Sequence, residues 1–233
     1  MPIYSLNEDL VFPHPTLAED GILAIGGDLS PERLILAYQN GVFPWYSEGE
    51  PIIWHAPNPR FVLHPKDLKI SKSMRQVLRN KAYSVSLNTN FEAVIQACQE
   101  VSRRGQEDTW ITVEMLEAYT RLHELGIAHS VEIWKDKELV GGLYGINLGT
   151  VFYGESMFHK ESNTSKLAFI KLVQEFPFSI IDCQVHTYHL ESLGATNLEL
   201  SSFLSVIVEE SKKENLLSRN INFPSSKTDQ DYD

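Results

Sequence analysis

The stretch FSIIDCQVHTYH, residues 178–189, sets the question of the fold. Phe178, Ile180, Ile181 and Val185 suit a buried strand, yet Asp182 and Gln184 stand in its middle. Strand alternation puts Ile180, Asp182 and Gln184 on one face and Ile181, Cys183 and Val185 on the other. An unpaired buried carboxylate costs several kcal/mol, roughly, so Asp182 needs a partner or an opening. Two readings stay open: an Asp paired with a structural Arg, or an Asp and a Gln aimed together into a cleft.

A second apolar strand carries a second acid. In TVFYGESMF, residues 150–158, alternation places Tyr153, Glu155 and Met157 on one face and Phe152, Gly154, Ser156 and Phe158 on the other. Gly154 suggests a bulge or a close backbone approach that re-aims Glu155. Two acids in two apolar strands point to a polar cleft between them.

Around these strands the order of elements follows from pattern. Residues 1–64 are rich in Gly and Pro and hold one clear helix, with Ser30 as N-cap, Pro31 in the first turn and Gly41 as terminator. A helix over Ser71–Asn80 and a strand in YSVSL come next. Asn90 caps FEAVIQACQEVSRR, and Thr112 caps VEMLEAYTRLHELG, which ends at Gly126. AHSVEIW, ELVGGLYGI and TVFYGESMF, separated by short turns, read as an antiparallel meander. A helix over Ser162–Phe176, the opening strand, a short strand near Leu198 and a last helix over about Ser201–Leu217 complete the chain. The tail, residues 218–233, has little to bury and is expected to be disordered. The class is α+β, with a small α/β N-terminal domain over 1–64 and a second domain, of mostly antiparallel sheet, over 65–217.

The bulk numbers narrow the function. The chain has 233 residues, 42% of them apolar and 22% charged, an ordinary globular composition. No apolar run approaches the roughly 18 residues of a membrane helix, and the Pro-broken acidic start is not a targeting peptide, so a cytoplasmic protein is expected. Two cysteines, Cys98 and Cys183, imply no disulfide framework. A net charge of −11 argues against broad nucleic-acid binding. Residues 66–81, KDLKISKSMRQVLRNK, depart from it: six basic residues against Asp67 give +5, leaving −16 elsewhere. Lys66, Lys69, Lys72, Arg75 and Arg79 there are either a solvated helix face or a local set of phosphate contacts.

Other features carry less. Phe169, Leu172, Val173 and Phe176 share a helix face that is core or a pocket wall. Trp45 and Trp110 sit in turn-like settings, where they either cover a core or stack on a nucleobase. Cys183, His186 and His189 have metal-like spacing, but Cys183 and His186 point to opposite faces of a strand and no second ligand cluster exists, so no metal site is expected. LAIGGDL lacks a phosphate-cradle pattern, and no nucleophile elbow is present.

The long motifs DGILAIGGDLSPERLILAYQNGVFPWYSEGEPIIWHAPNPR, HSVEIW, LVGGLYGI, FYGESMF and IIDCQVHTYHLESLGA resemble those of the leucyl/phenylalanyl-tRNA–protein transferases, over residues from about 10 to 205. The element order is also that of the acetyltransferase-like (GNAT) fold, whose strand after the meander splays from its neighbour and opens a cleft. The resemblance implies a GNAT-like C-terminal domain that moves Leu or Phe from aminoacyl-tRNA onto proteins beginning with Arg or Lys, marking them as N-degrons. No cofactor is needed, and HKESNTSK after the third meander strand lacks the Gly-rich turn of acetyl-CoA enzymes. It implies catalytic roles for Glu155, Asp182 and Gln184. Leu143, Phe152, Met157, Phe169, Leu172, Phe176 and Ile181 would line the amino-acid pocket, and Trp45 and Trp110 would hold the terminal adenosine. Because an apolar pocket discriminates weakly, leakage to Met is expected. A monomer is expected. The chain departs from the family at NLELSS, where an Arg-containing stretch is usual, and at IIWHAP, where His55 replaces an aromatic residue. An acyl-CoA N-acetyltransferase and an aminoacyl transferase of different donor or acceptor choice are the alternatives.

Overall fold

The computed structural model describes residues 3–105, 111–218 and 223. The N-terminal part builds a four-stranded sheet in the order β1-β2-β4-β3 from β1 (Tyr4–Leu6), β2 (Ile22–Gly26), β3 (Phe43–Pro44) and β4 (Ile53–His55). Helix α1 (Pro31–Gln39) lies between β2 and β3. Its caps are the expected ones: Ser30 Oγ accepts from Arg33 N at 3.4 Å, and Gly41 takes φ +69° beyond the last turn. The dihedral is what calls for glycine there; a Cβ would also stand 2.8 Å from Leu204 Cδ2, the movable end of a side chain.

The second sheet has seven strands in the order β11-β5-β10-β9-β8-β7-β6. These are β5 (Arg60–Leu63), β6 (Ser84–Leu87), β7 (Ala128–Lys135), β8 (Glu138–Leu148), β9 (Val151–His159), β10 (Ile180–Asp182) and β11 (Thr196–Leu198). The meander β7-β8-β9 is antiparallel as its alternation and turns require, and β10 runs parallel to β9. The class is α+β with mostly antiparallel sheet. β5 lies on the N-terminal side of residue 64 yet supplies the strand next to β10.

Helices α3 (Phe91–Gly105) and α4 (Val113–Glu124) pack on one face of this sheet, and α2 (Lys72–Leu78) and α5 (Thr164–Glu175) on the other. Asn90 and Thr112 cap α3 and α4 through bonds of 3.2 Å from Ala93 N and Met115 N. Gly141 lets α5 seat closely on β8, because a Cβ there would stand 2.3 Å from Thr164 Oγ1. No helix among the described residues is long and apolar enough to cross a membrane.

Two elements end earlier than the sequence predicts. The strand expected over 178–189 stops at Asp182, and a four-residue helix, α6 (Tyr188–Glu191), follows. Asp182 Oδ1 accepts from Gln184 N at 2.8 Å, and Gln184 turns to φ +61°, so a side chain replaces the next ladder bond. The last helix, α7 (Leu200–Glu210), ends at Glu210 instead of near Leu217. There the β8–β9 turn captures the chain: Thr150 N donates to Glu210 O at 3.1 Å, and the hydroxyls of Thr150 and Ser179 donate to the Glu210 carboxylate. Asn147 Oδ1 then accepts from Leu217 N at 2.8 Å. Most of the tail expectation over 218–233 lies outside the described residues; Phe223, which is described, packs on Phe176 with ring centroids 5.8 Å apart.

Candidate active site

β9 and β10 pair only over Val151–Tyr153 and Ile180–Asp182, and beyond those residues they part. The gap opens into a cavity of about 370 Å³. Leu143 of β8, Phe152 and Met157 of β9, and Phe169 of α5 give it apolar walls. Leu172, Phe176 and Ile181 do not reach it. α5 turns only Ser165 and Phe169 toward the cavity, while Leu172 and Phe176 pack in the core beneath with Phe178 and Ile181.

Glu155 stands at the inner end of this cavity. The β8–β9 register passes from Tyr144↔Ser156 to Gly145↔Gly154, so Glu155 is the extra residue of a bulge. That bulge breaks the alternation read from sequence and brings Phe152 and Met157 to a common wall. Glu155 is 8% exposed. Its Oε2 accepts from Tyr119 OH at 3.0 Å and its Oε1 from Gln184 Nε2 at 2.8 Å. Tyr119 OH is itself hydrogen-bonded to Tyr38 OH. Burial pushes the Glu155 carboxyl up to about 7; bonds from Tyr38 and Tyr119 oppose this, the Asp182 charge adds to it, and Arg60 opposes it.

Asp182 differs from Glu155. Arg60 donates Nε to Oδ1 at 2.8 Å and Nη2 to Oδ2 at 2.5 Å, and neither side chain is exposed. With Gln184 N also on Oδ1, the carboxylate accepts three hydrogen bonds. Of the two readings the sequence left open, the pair with an Arg is present, while Asp182 still borders the cavity. Asp182 is thus bound by a charged guanidinium and a backbone N–H, whereas Glu155 accepts from neutral donors, Tyr119 and Gln184.

A smaller chamber of about 120 Å³ adjoins the first and shares Glu155, Gln184 and Val185 with it. Phe43, Pro44 and the 41%-exposed Trp45 form its other wall. Trp110 lies outside the described residues. Lys66, Lys69, Lys72, Arg75 and Arg79 are all exposed, before, on and just after α2, which packs against the cavity-lining helix α5. The Cys183, His186 and His189 side chains do not converge: His186 Nε2 pairs with Glu191 at 3.1 Å, and no group of three potential metal ligands occurs among the described residues.

Sequence reasoning missed Arg60, Tyr119 and Tyr38. Arg60 had a signal, since a lone charge heading the apolar run RFVL must find a partner when buried. The two tyrosines had a weaker one. Both lie on buried helix stripes, where a phenol OH needs a hydrogen-bond partner.

The chain is similar to known proteins. The family description "Leucyl/phenylalanyl-tRNA protein transferase" matches residues 62–208, and its N-terminal-domain counterpart matches residues 27–58. The leucyl/phenylalanyl-tRNA–protein transferase of Syntrophus aciditrophicus is 57% identical over 211 residues, 89% of this chain and 88% of that protein. That of Flavobacterium johnsoniae is 55% identical over 88% of this chain and 99% of its own length. Among solved structures, a GCN5-related N-acetyltransferase from Kribbella flavida aligns with a TM-score of 0.31 at 12% identity, over 72% of this chain and 60% of that one.

Proposed function

The chain belongs to the leucyl/phenylalanyl-tRNA–protein transferase family, and on that premise we infer that it moves leucine or phenylalanine, with leakage to methionine, from aminoacyl-tRNA to a protein amino terminus. The observation that carries this reading is the Glu155–Gln184 contact at the junction of an apolar cavity and a smaller chamber walled by Trp45. The donor side chain fills the apolar cavity against Leu143, Phe152, Met157 and Phe169. Its terminal adenosine lies in the small chamber against Trp45. The ester carbonyl then sits where the chambers meet, beside Glu155 and Gln184.

The donor ester is already activated, so no nucleoside triphosphate is required. The acceptor is an α-amine with a pKa of about 7.7–8.0, partly neutral near pH 7. Its nitrogen attacks the ester carbonyl carbon, the peptide bond forms, and the ribose oxygen leaves. Glu155, poised near neutrality, accepts the amine proton and returns it to the leaving oxygen. The Gln184 amide orients Glu155 and the reacting carbonyl. Asp182 acts through Gln184 by holding its backbone, and Arg60 holds Asp182. Positioning of ester and amine supplies about 7–11 kcal/mol of the barrier reduction.

The acceptor begins with Arg or Lys and becomes an N-degron; the charge of −16 outside residues 66–81 favours a cationic terminus. The exposed basic residues 66–79 contact phosphates of the tRNA acceptor stem. One chain supplies every group named, so a monomer suffices. Transfer from charged Leu-, Phe- and Met-tRNA to peptides beginning with Arg, Lys, Asp or Glu tests the reading. Transfer to the Arg and Lys peptides is expected, with Leu and Phe ahead of Met. Transfer only to the acidic peptides, or none from any donor, overturns it.

A further inference from the structure

Residues 185–190 leave the reaction centre and form one rim of the larger cavity: Val185, Thr187, His189 and Leu190 line it. Tyr188, between two of these, points the other way and is 84% exposed, the most exposed large apolar side chain among the described residues. The ring has one aromatic neighbour. It meets the His186 ring edge to face at 5.2 Å, and His186 is fixed by Phe61 at 5.0 Å and by Glu191 at 3.1 Å. An aromatic side chain with a bare face beside a substrate cavity can serve as a stacking platform.

Two lysines come to the far end of the same segment, beside the acids Glu191 and Asp67. Lys166 Nζ reaches Ser192 Oγ at 2.8 Å, at the end of α6. Lys69 N donates to Leu193 O at 2.9 Å, which joins the start of the basic stretch to the same segment. The nearby acid Glu191 is held by His186. Exposed aromatic face and flanking cations together are the pattern that tracks single-stranded nucleic acid.

The connectivity supplies a path. Val185 belongs to both chambers, and three residues of chain span at most about 11 Å from it to Tyr188. A nucleotide joined to one held at Trp45 can therefore reach the Tyr188 ring. We propose that Tyr188 stacks on a base of the single-stranded 3′ end of the donor tRNA, next to the terminal adenosine, and guides that strand from the small chamber toward Lys166 and Lys69. This rests on the donor being aminoacyl-tRNA, as inferred above. Tyr188 is a specificity residue for the donor and takes no part in the chemistry.

The test compares two donors: an RNA minihelix with a single-stranded 3′ end charged with Phe, and 3′-phenylalanyl-adenosine, which lacks the preceding nucleotides. Tyr188→Ala is expected to raise KM for the minihelix about tenfold, with kcat close to wild type. It should leave transfer from the nucleoside unchanged, and Tyr188→Phe should restore the minihelix KM. Equal KM values for wild type and Tyr188→Ala on the minihelix overturn the proposal. So does an equal loss on both donors, or a rise confined to the KM of the acceptor peptide. A wild-type protein that transfers from neither donor overturns the aminoacyl-transfer reading itself, and the minihelix Kd of wild type and Tyr188→Ala then decides whether RNA stacks on this ring.

Discussion

Arg60 holds Asp182 through two hydrogen bonds, Nε to Oδ1 at 2.8 Å and Nη2 to Oδ2 at 2.5 Å, with both side chains fully buried. The Arg60 guanidinium also lies over the Phe43 and Phe203 rings, 4.7 and 4.9 Å from their centroids. The pair thus ties β5 to β10 and joins the small N-terminal sheet and α7 to the wall of the active site. Removing one partner leaves the other charge buried and unmatched. Asp182→Ala and Arg60→Ala should each lose about 3–5 kcal/mol of stability. The double variant should lose less than the sum, and urea unfolding of all four proteins measures the coupling. Additive losses would mean that the two side chains do not interact as described.

Glu155 gives the protein a pH signature. Its carboxyl is raised from 4.5 to about 7, chiefly by burial. Between those values the folded state holds a proton that the unfolded state has released, so stability falls as pH rises from 4.5 to 7 and stays low above it. The loss is about 3 kcal/mol from the size of the shift. Glu155→Gln should remove that slope, becoming the more stable form above pH 7. Transfer should show the opposite trend, rising steeply through pH 7 as both Glu155 and the acceptor amine lose protons; in Glu155→Gln only the shallower rise due to the amine, with its pKa of about 7.7–8.0, should remain. Tyr119→Phe, which deletes a bond to the carboxylate, should move the midpoint upward. Urea midpoints and single-turnover rates at pH 5, 6, 7 and 8 check all three.

Much of this architecture is written locally in the chain. Ser30, Asn90 and Thr112 mark their helices because a cap is a bond within three residues, and the meander follows from alternation and short turns. Glu155 and Gln184 were legible as polar residues in apolar strands, and Gly154 announced the bulge that turns Glu155 into the cavity. What was not legible depends on distant partners. The end of α7 is set by Thr150 and Ser179, about 60 and 31 residues earlier in the chain. Asp182 could be read either as a cleft carboxylate or as half of an ion pair, because its partner lies 122 residues away. Leu172 and Phe169 share one helical stripe, and only the splay of β9 from β10 decides which of them meets the cavity.

The basic stretch before and along α2 can be tested through salt. Lys72→Glu, Arg75→Glu and Arg79→Glu together should weaken tRNA binding at 50 mM salt by a factor of ten or more. They should also flatten the dependence of log Kd on log salt by about 2–3, if each residue neutralises one phosphate. The transfer rate from an aminoacyl nucleoside should not change, because these exposed residues line neither chamber. Binding isotherms at 50 and 200 mM salt, for wild type and triple variant, measure both terms. A parallel shift with no change of slope would place the phosphates elsewhere.

Gln184 separates side-chain chemistry from backbone shape. It holds φ +61°, a region that costs a non-glycine residue about 1 kcal/mol or more and that glycine enters freely. Gln184→Gly therefore keeps the turn after β10, with its backbone N still available to Asp182 Oδ1, and deletes only the amide that meets Glu155 at 2.8 Å. The variant should unfold at the same urea concentration as wild type or slightly higher. Its kcat should fall by about 10²-fold or more, the scale for losing one positioned hydrogen-bond donor at a reacting carbonyl. Gln184→Ala has the same missing amide but a strained backbone, so it should be equally inactive and less stable than Gln184→Gly. Unimpaired kcat in Gln184→Gly would confine Gln184 to shaping the chain and leave Glu155 without its orienting partner.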